Sequence, residues 1–262
     1  MVNIGLGLLN QVADIAERAG REILKIYDTD FNVETKGDQS PVTEADRVAE
    51  DLIAEALLRE ITGEFKIIGE EAVAADGMTQ PSPNHPFWLV DPLDGTKEFV
   101  KRSGEFTVNI ALIENALPVM GIVHLPVLGE TFMGANLGSF KKTGDEAPHP
   151  IQSRGAPAKG LTAAVSRSHG AEEADEFLEK FTIARRIGAG SSLKFCRVAE
   201  GAADIYPRFG RTMEWDTAAG HAVVRFAGGN VVRTDGAPLT YGKPGLENPH
   251  FIVVGQGVDL GF

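Results

Sequence analysis

Apolar residues recur every three or four positions at Leu9, Val12, Ile15, Ala16, Ala19, Ile23 and Leu24, which predicts an amphipathic helix to about Tyr27. A second helix is predicted from about Thr43 to Ile61, with Val48, Leu52, Ile53, Ala56, Leu57 and Ile61 as its buried stripe and Gly63 at its end. FKIIG (65–69) and FWLVD (87–91) are short apolar runs of strand type. Asn84, Pro81, Pro83 and Pro86 punctuate the loop between them. FTVNIALI (106–113), PVMGIVHL (118–125) and ETFMGAN (130–136) then follow with short turns, the pattern of a β-meander.

The polar stretch 141–160, scattered with Pro and Gly, is the best candidate for a domain junction, although its first part also fits a further hairpin. Beyond it a strand (161–168), a helix (171–181), a helix (191–201) closed by Gly201, a strand (203–208) and a helix (216–229) ended by Gly228 and Gly229 are predicted. NVVRT (230–234) and HFIVVG (250–255) are the final strands, and no internal repeat or low-complexity tract interrupts the series. Strands and helices mixed in this way predict an α/β or α+β layered sandwich. Two unequal domains are expected, residues 1–150 and 151–262, the first carrying most of the candidate chemistry.

Composition narrows the function. The 262 residues, 43% of them hydrophobic, suffice for a sizeable core. A net charge of −12 repels nucleic-acid backbones and anionic membranes, so no nucleic-acid partner is expected. An anionic small substrate would need bound metal or locally placed Lys and Arg. The single cysteine, Cys196, excludes an intrachain disulfide and a Cys-based metal cage, and most simply packs as a small hydrophobe. The N-terminus lacks the basic start of a signal peptide, and no apolar run approaches the ~20 residues of a membrane span. These features predict a soluble cytoplasmic protein, and none of them specifies an oligomeric state.

The candidate chemistry is carboxylate. DPLDGT (91–96) sets Asp91 and Asp94 around a proline and before a glycine, which alone reads first as a capped turn. Glu70 and Glu71 follow the strand FKIIG, Asp216 sits near a helix start, and Asp46 lies in the first turn of the second helix. Each has an ordinary explanation: a solvated loop for Glu70–Glu71, an N-cap for Asp216, a variant capping box for Thr43 with Asp46. Should the strand and helix ends converge, Glu70, Asp91, Asp94 and Asp216 would form a cluster whose repulsion only divalent cations relieve. Its donors would be hard oxygens, selecting Mg²⁺ or Mn²⁺ over zinc. Asp91 is placed to bridge two ions, the Leu93 carbonyl to add a neutral ligand, and the Gly95 and Thr96 amides to meet phosphate oxygens. Two such ions roughly 3.5–4 Å apart are the usual apparatus for attack of water on a phosphate ester.

GEE (69–71), WLVDPLDGT (88–96) and EWDTAAG (214–220), with Lys36 and SPVTEAD (40–46) upstream, resemble the inositol monophosphatase superfamily of Mg²⁺-dependent, lithium-sensitive phosphatases. The blocks match in order and separation over most of the chain. The resemblance implies the family's αβαβα sandwich. It sharpens toward the bisphosphate nucleotidase branch through residues 91–113, SRSH (166–169), residues 190–210 and MEWDTAAGHAV (213–223). That branch converts adenosine 3',5'-bisphosphate to AMP and phosphate. Inositol monophosphatases usually carry Thr-Asn-Phe where this chain has Lys97-Glu98-Phe99.

Carried over, the resemblance implies two or three Mg²⁺ ions, the first on Glu70, Asp91 and the Leu93 carbonyl, the second on Asp91, Asp94 and Asp216. It implies Thr96 paired with Asp46 to orient the attacking water, with Glu70 assisting, and the Gly95 and Thr96 amides on the scissile phosphate. Ser191, Lys194 and Arg208 become nucleotide-side contacts, and His169 lies near the base. Read without it, Ser191 or Ser192 is a helix cap, Lys194 a solvated lysine, Arg208 a surface charge and His169 a loop residue. The family often has Pro where this chain has Arg211, which adds a cation beside the site loop. An inositol monophosphatase or broad sugar-phosphate phosphatase is the nearest alternative. A non-catalytic metal-dependent nucleotide-binding protein is the alternative of another class, and the loss of a ligand carboxylate that would mark it is not found.

Overall fold

A computed structural model describes residues 4–29, 33–35, 41–77, 80–81, 85–167 and 172–261. Lys36, Ser40 and His169, singled out in the sequence, lie outside the described residues, as does the side chain of Thr43.

The chain begins with helix α1 (Leu6–Tyr27), a short hairpin of β1 (Val33–Thr35) and β2 (Pro41–Thr43), and α2 (Glu44–Ala56), whose last turn widens to a π-helix over Leu57–Ile61. There follow β3 (Lys66–Gly69), α3 (Glu70–Asp76), β4 (Phe87–Asp94), α4 (Thr96–Val100), β5 (Thr107–Glu114), β6 (Leu117–Leu125), β7 (Glu130–Ala135), β8 (Gly138–Thr143) and β9 (His149–Ile151). The strands β3 to β9 make one sheet of seven in sequence order. Strand β10 (Leu161–Ser166), α5 (Glu172–Leu178), β11 (Ile183–Ala189), α6 (Leu193–Ala199), β12 (Ile205–Arg208), α7 (Glu214–Phe226), β13 (Asn230–Arg233) and β14 (Phe251–Val254) complete the chain. Its second sheet has five strands in the order β11-β10-β12-β14-β13.

Side-chain alternation assigns the layers. Along β4, Trp88 and Val90 pack into the core formed with α1 and α2, whereas Phe87 and Leu89 join the core shared with α6 and α7. On the five-stranded sheet, Leu161, Ala163 and Ile205 pack with Phe177 and Leu178 of α5. The order is therefore helices, seven-stranded sheet, α6 and α7, five-stranded sheet, α5: an αβαβα sandwich.

Three elements differ from the sequence expectation for physical reasons. Strand β11 lies between the predicted helices 171–181 and 191–201, where the sequence pattern assigns no element; it is a sheet edge whose Arg185 and Arg186 are exposed, so alternation is masked by the charges that protect an edge. Glu70 and Glu71 open helix α3 rather than a solvated loop. Helix α2 buries Ala45, Asp46, Ala49, Glu50, Ile53 and Ala56, while Val48 and Leu52 are only half-buried. Its inward face thus carries two carboxylates one turn apart, which an apolar stripe cannot reveal.

The close approach of α7 to the seven-stranded sheet depends on two glycines paired across β6 and β7, Gly121 and Gly134. A Cβ on Gly121 would lie 2.5 Å from the Ala219 carbonyl oxygen, and one on Gly134 would lie 2.7 Å from the Val223 Cα. Gly121→Ala is therefore expected to cost about 1–3 kcal/mol, the usual penalty for overpacking. Gly63→Ala, where an added Cβ meets nothing within 4 Å, should stay within about 0.5 kcal/mol of the parent. Urea denaturation of the two variants checks this, and equal midpoints would contradict the close-approach account.

Candidate active site

Strands β3 and β4 are parallel, with Gly69 opposite Val90, so their C-terminal ends deliver Glu70 and Asp91 to the same edge of the sheet. Alternation along β4 puts Asp91 on the side of α7, and the irregularity between Asp91 and Asp94 turns the chain into α4. Asp91 is 1% exposed, and its Oδ1 accepts the Leu93 amide at 3.1 Å. Asp216 is not the N-cap of α7, as its position near the helix start first read, but the third helical residue, whose carboxylate reaches back to the N-cap amide as in a capping box. The helix begins at Glu214, and Asp216, in its first turn, accepts the Met213 amide at 2.9 Å.

The first turn of α7 is held from behind. Glu214, wholly buried, accepts the Gly242 amide at 2.6 Å, the Lys243 amide at 3.0 Å and Lys243 Nζ at 2.6 Å. Asn248 Nδ2 donates to the Met213 carbonyl at 2.7 Å and to Thr217 Oγ1 at 3.0 Å. Asp216 is thereby fixed by a helix that cannot rotate without breaking buried hydrogen bonds.

Glu70, Asp91, Leu93, Asp94, Gly95, Thr96, Ser191, Lys194, Arg208 and Asp216 all line one pocket of about 250 Å³. Asp46 is not on its wall, yet its charge reaches Asp91 from α2. Burial, and then the charges of Glu70, Asp94, Asp216 and Asp46, push the Asp91 carboxyl well above the usual carboxylate range. Burial, and then Asp94 and Glu70, do the same to Asp216.

The same pocket also carries cations. Lys194 is 4% exposed, not the solvated helical lysine its spacing also allowed. Its amine donates to the Ser191 carbonyl at 2.6 Å and the Ala189 carbonyl at 3.3 Å, and burial lowers its pKa to about 8. Arg208 ends β12, and among the described residues its buried Nε has no hydrogen-bond partner. Arg211 also lines the pocket, but at an exposed position where it pairs with Glu247 at 3.3 Å.

Ser191 differs most from its expected role. It adopts a left-handed backbone with φ of 50°, uncommon for a non-glycine residue. Its hydroxyl donates to Asp94 Oδ2 at 2.6 Å and meets Thr107 Oγ1 at 2.6 Å, so its single proton is already committed to a carboxylate rather than to a nucleotide. Ser192 does not cap α6 either; its hydroxyl lies 3.1 Å from the same Asp94 oxygen and 2.8 Å from the Asp216 carbonyl, and receives Asn109 Nδ2 at 3.1 Å. Thr107 and Asn109 escaped the sequence reading because they carry no charge and sit in an apolar strand.

A model of the inositol monophosphatase family matches residues 8–252. The chain belongs to the inositol monophosphatase family. The 3'(2'),5'-bisphosphate nucleotidase CysQ of Escherichia coli (strain K12) is 42% identical over 249 residues, 94% of this chain and 99% of that protein. The CysQ of Haemophilus influenzae is 34% identical over 98% of this chain and 96% of its own. Among solved structures, CysQ from Bacteroides thetaiotaomicron superposes with a TM-score of 0.80 at 38% identity, covering 98% of this chain and 100% of that one. A Thermotoga maritima IMPase gives 0.77 at 25% identity, over 95% of this chain and 92% of its own. The αβαβα sandwich described above is the family fold.

Inositol monophosphatase family enzymes are metal-dependent, usually on Mg²⁺. The donors in this pocket suit such an ion: carboxylates and a carbonyl, hard oxygens without sulfur or imidazole. The expected convergence is nevertheless partial. Among the described residues no group of three or more His, Cys, Asp or Glu side chains is drawn close enough to hold a metal ion as it stands. Like charges repel one another here, which helps to raise the Asp91 and Asp216 carboxyls, and oxygens of Asp91, Asp94 and Asp216 accept hydrogen bonds from neighbours.

Repulsion of this kind has a measurable signature. In chelator, Asp91→Asn is expected to melt roughly 2–4 °C above the parent, the shift that about 1 kcal/mol gives a chain of this size. Mg²⁺ should raise the parent's Tm and leave the variant's unchanged. Scanning calorimetry of both proteins with and without Mg²⁺ checks this, and a variant no more stable than the parent in chelator would count against buried repulsion.

Proposed function

We propose that the chain is a Mg²⁺-dependent phosphomonoesterase that removes the 3'-phosphate of adenosine 3',5'-bisphosphate, yielding AMP and phosphate. The observation that carries this reading is one pocket lined both by the carboxylates and by Lys194 and Arg208. A bisphosphate nucleotide has two phosphates to place, and this pocket offers both metal-ligating carboxylates and cations for them. The high identity to bisphosphate nucleotidases over almost the whole chain supports the same choice.

Glu70, Asp91, the Leu93 carbonyl, Asp94 and Asp216 are the residues that would hold two or three divalent ions. Bound there, Mg²⁺ or Mn²⁺ would neutralise the scissile phosphate and make water a better nucleophile. The chain's own residues do the rest. Thr96, at the start of α4, and Asp46 orient the water for attack on phosphorus, with Glu70 assisting. The bond from phosphorus to the 3'-oxygen breaks, and that oxygen leaves with a proton supplied by the water. The Gly95 and Thr96 amides hold the phosphate oxygens.

Lys194 and the unpartnered Arg208 Nε receive the 5'-phosphate. For a protein of charge −12, such local cations are what make a polyanionic substrate bind. A neighbouring hollow of about 460 Å³, lined by Ala164, Tyr206, Pro207 and Phe209 and sharing Ser166 and Arg208 with the first pocket, is suited to the nucleoside.

Phosphate release is measured from adenosine 3',5'-bisphosphate and inositol 1-phosphate in parallel, with Mg²⁺ and with chelator. Strong preference for the nucleotide, abolished by chelator, is expected; preference for inositol phosphate would overturn the substrate. Lys194→Ala should raise KM for the bisphosphate about tenfold or more, the scale of one lost charge-assisted hydrogen bond. It should leave KM for a substrate lacking the 5'-phosphate nearly unchanged, and equal effects on both would remove Lys194 from that role.

A further inference from the structure

Helix α3 begins at Glu70 after Gly69, a residue with no side chain to cap it. The two amides that an N-cap side chain ordinarily satisfies, those of the second and third helical residues, belong here to Glu71 and Ala72. Both are satisfied from another helix. Glu50, from the inward face of α2, accepts the Glu71 amide with Oε2 at 2.8 Å and the Ala72 amide with Oε1 at 2.7 Å. Glu50 is 7% exposed. Its carboxyl group fills the space beside Gly69, where any added Cβ would overlap it.

A serine or aspartate at position 69 would cap α3 locally and spare the cost of a buried carboxylate. This chain instead keeps a glycine there and reaches across from α2. The consequence is geometric. Glu50 lies four residues after Asp46 on the same buried face of α2, so one helix face both carries Asp46 toward Asp91 and grips the turn that bears Glu70.

From this bracing we infer that Glu50 is a positioning residue, which sets Glu70 against Asp91 and Asp46 through the first turn of α3. The inference rests on the metal-site reading of Glu70 given above. Gln at position 50 is not conservative: its oxygen accepts one amide while its NH₂ confronts the other. Asp keeps both acceptors but falls one methylene short. Removing a residue that orients a ligand typically weakens metal affinity by tenfold or more.

Mg²⁺ affinity is measured by titration calorimetry on the full chain, together with the Mg²⁺ dependence of turnover. Glu50→Gln is expected to weaken Mg²⁺ binding about tenfold. KM for the nucleotide at saturating Mg²⁺ should change little, and Glu50→Asp should show a smaller loss. Ile53→Ala, one turn along α2 and wholly buried, controls for stability: it should lower Tm without altering Mg²⁺ affinity. A Glu50→Gln protein with a lowered Tm and the parent's Mg²⁺ affinity would overturn the inference.

Amide exchange in the unsubstituted protein tests it without any variant. The Glu71 and Ala72 amides should be protected to the level of β4, and rapid exchange there would refute the bracing even if Glu50→Gln fails to fold. Failure of the parent itself to bind Mg²⁺ would instead overturn the metal-site reading, whatever the exchange shows.

Discussion

Several carboxylates of like charge stand together at the buried junction of a sheet and a helix, and the rest of the architecture answers to that constraint. Two unit charges about 4 Å apart repel by about 4 kcal/mol at an effective dielectric of 20, a large share of any domain's net stability. Such groups stay in place only if the backbone that bears them is over-determined. Glu70 and Asp91 leave the ends of two adjacent parallel strands, Asp94 follows in the same bend, and Asp216 comes from α7, whose first turn is tied down by Glu214, Lys243 and Asn248. Gly121 and Gly134 let that helix lie close enough for Asp216 to share the pocket.

The same repulsion explains why the neighbours of these carboxylates are neutral hydrogen-bonding groups. Ser191 and Ser192 present hydroxyls to Asp94, backed by Thr107 and Asn109. A lysine there would neutralise the aspartate and compete with any divalent ion; a hydroxyl orients it and leaves its charge intact. Lys194 and Arg208 line the same pocket and donate to backbone carbonyls. Cations held by carbonyls rather than by carboxylates are available to a ligand of high negative charge.

Much of the fold was legible because its apolar patterns were clean. The buried face of α1 follows the helical period, while β4 to β7 are near-continuous apolar runs and α7 is buried along most of its length. The layered class and the family resemblance followed from these and from the motif blocks. What escaped were the places where polarity contradicts burial. Strand β11, with Arg185 and Arg186 exposed, is assigned no element by the sequence pattern, and Asp46 and Glu50 rotated the true inward face of α2 away from its apolar stripe. The gathering of Glu70, Asp91, Asp94 and Asp216 around one pocket was anticipated as a condition, since only the pairing of β3 with β4 and the depth of α7 could meet it. The partners of the Ser191 hydroxyl, Asp94 and Thr107, were not legible, because a serine's type says hydrogen bond and nothing about the partner.

The carboxylates and the cations of the pocket come from different sheets and their helices. The carboxylates, apart from Asp216, belong to segments around the seven-stranded sheet, whereas Arg208 ends a strand of the five-stranded sheet and Lys194 rides on α6. Helix α7 lies between the sheets and supplies the one acidic residue that crosses over. The two sets meet in the turn before α6, where Ser191 and Ser192 hydrogen-bond Asp94 and Ser192 also reaches the Asp216 carbonyl. A substitution in that turn therefore disturbs the acids, whereas one at Arg208, at the C-terminal end of β12, changes what the pocket can grip and leaves those hydrogen bonds in place. A fold with such a position can keep one reaction and exchange substrates.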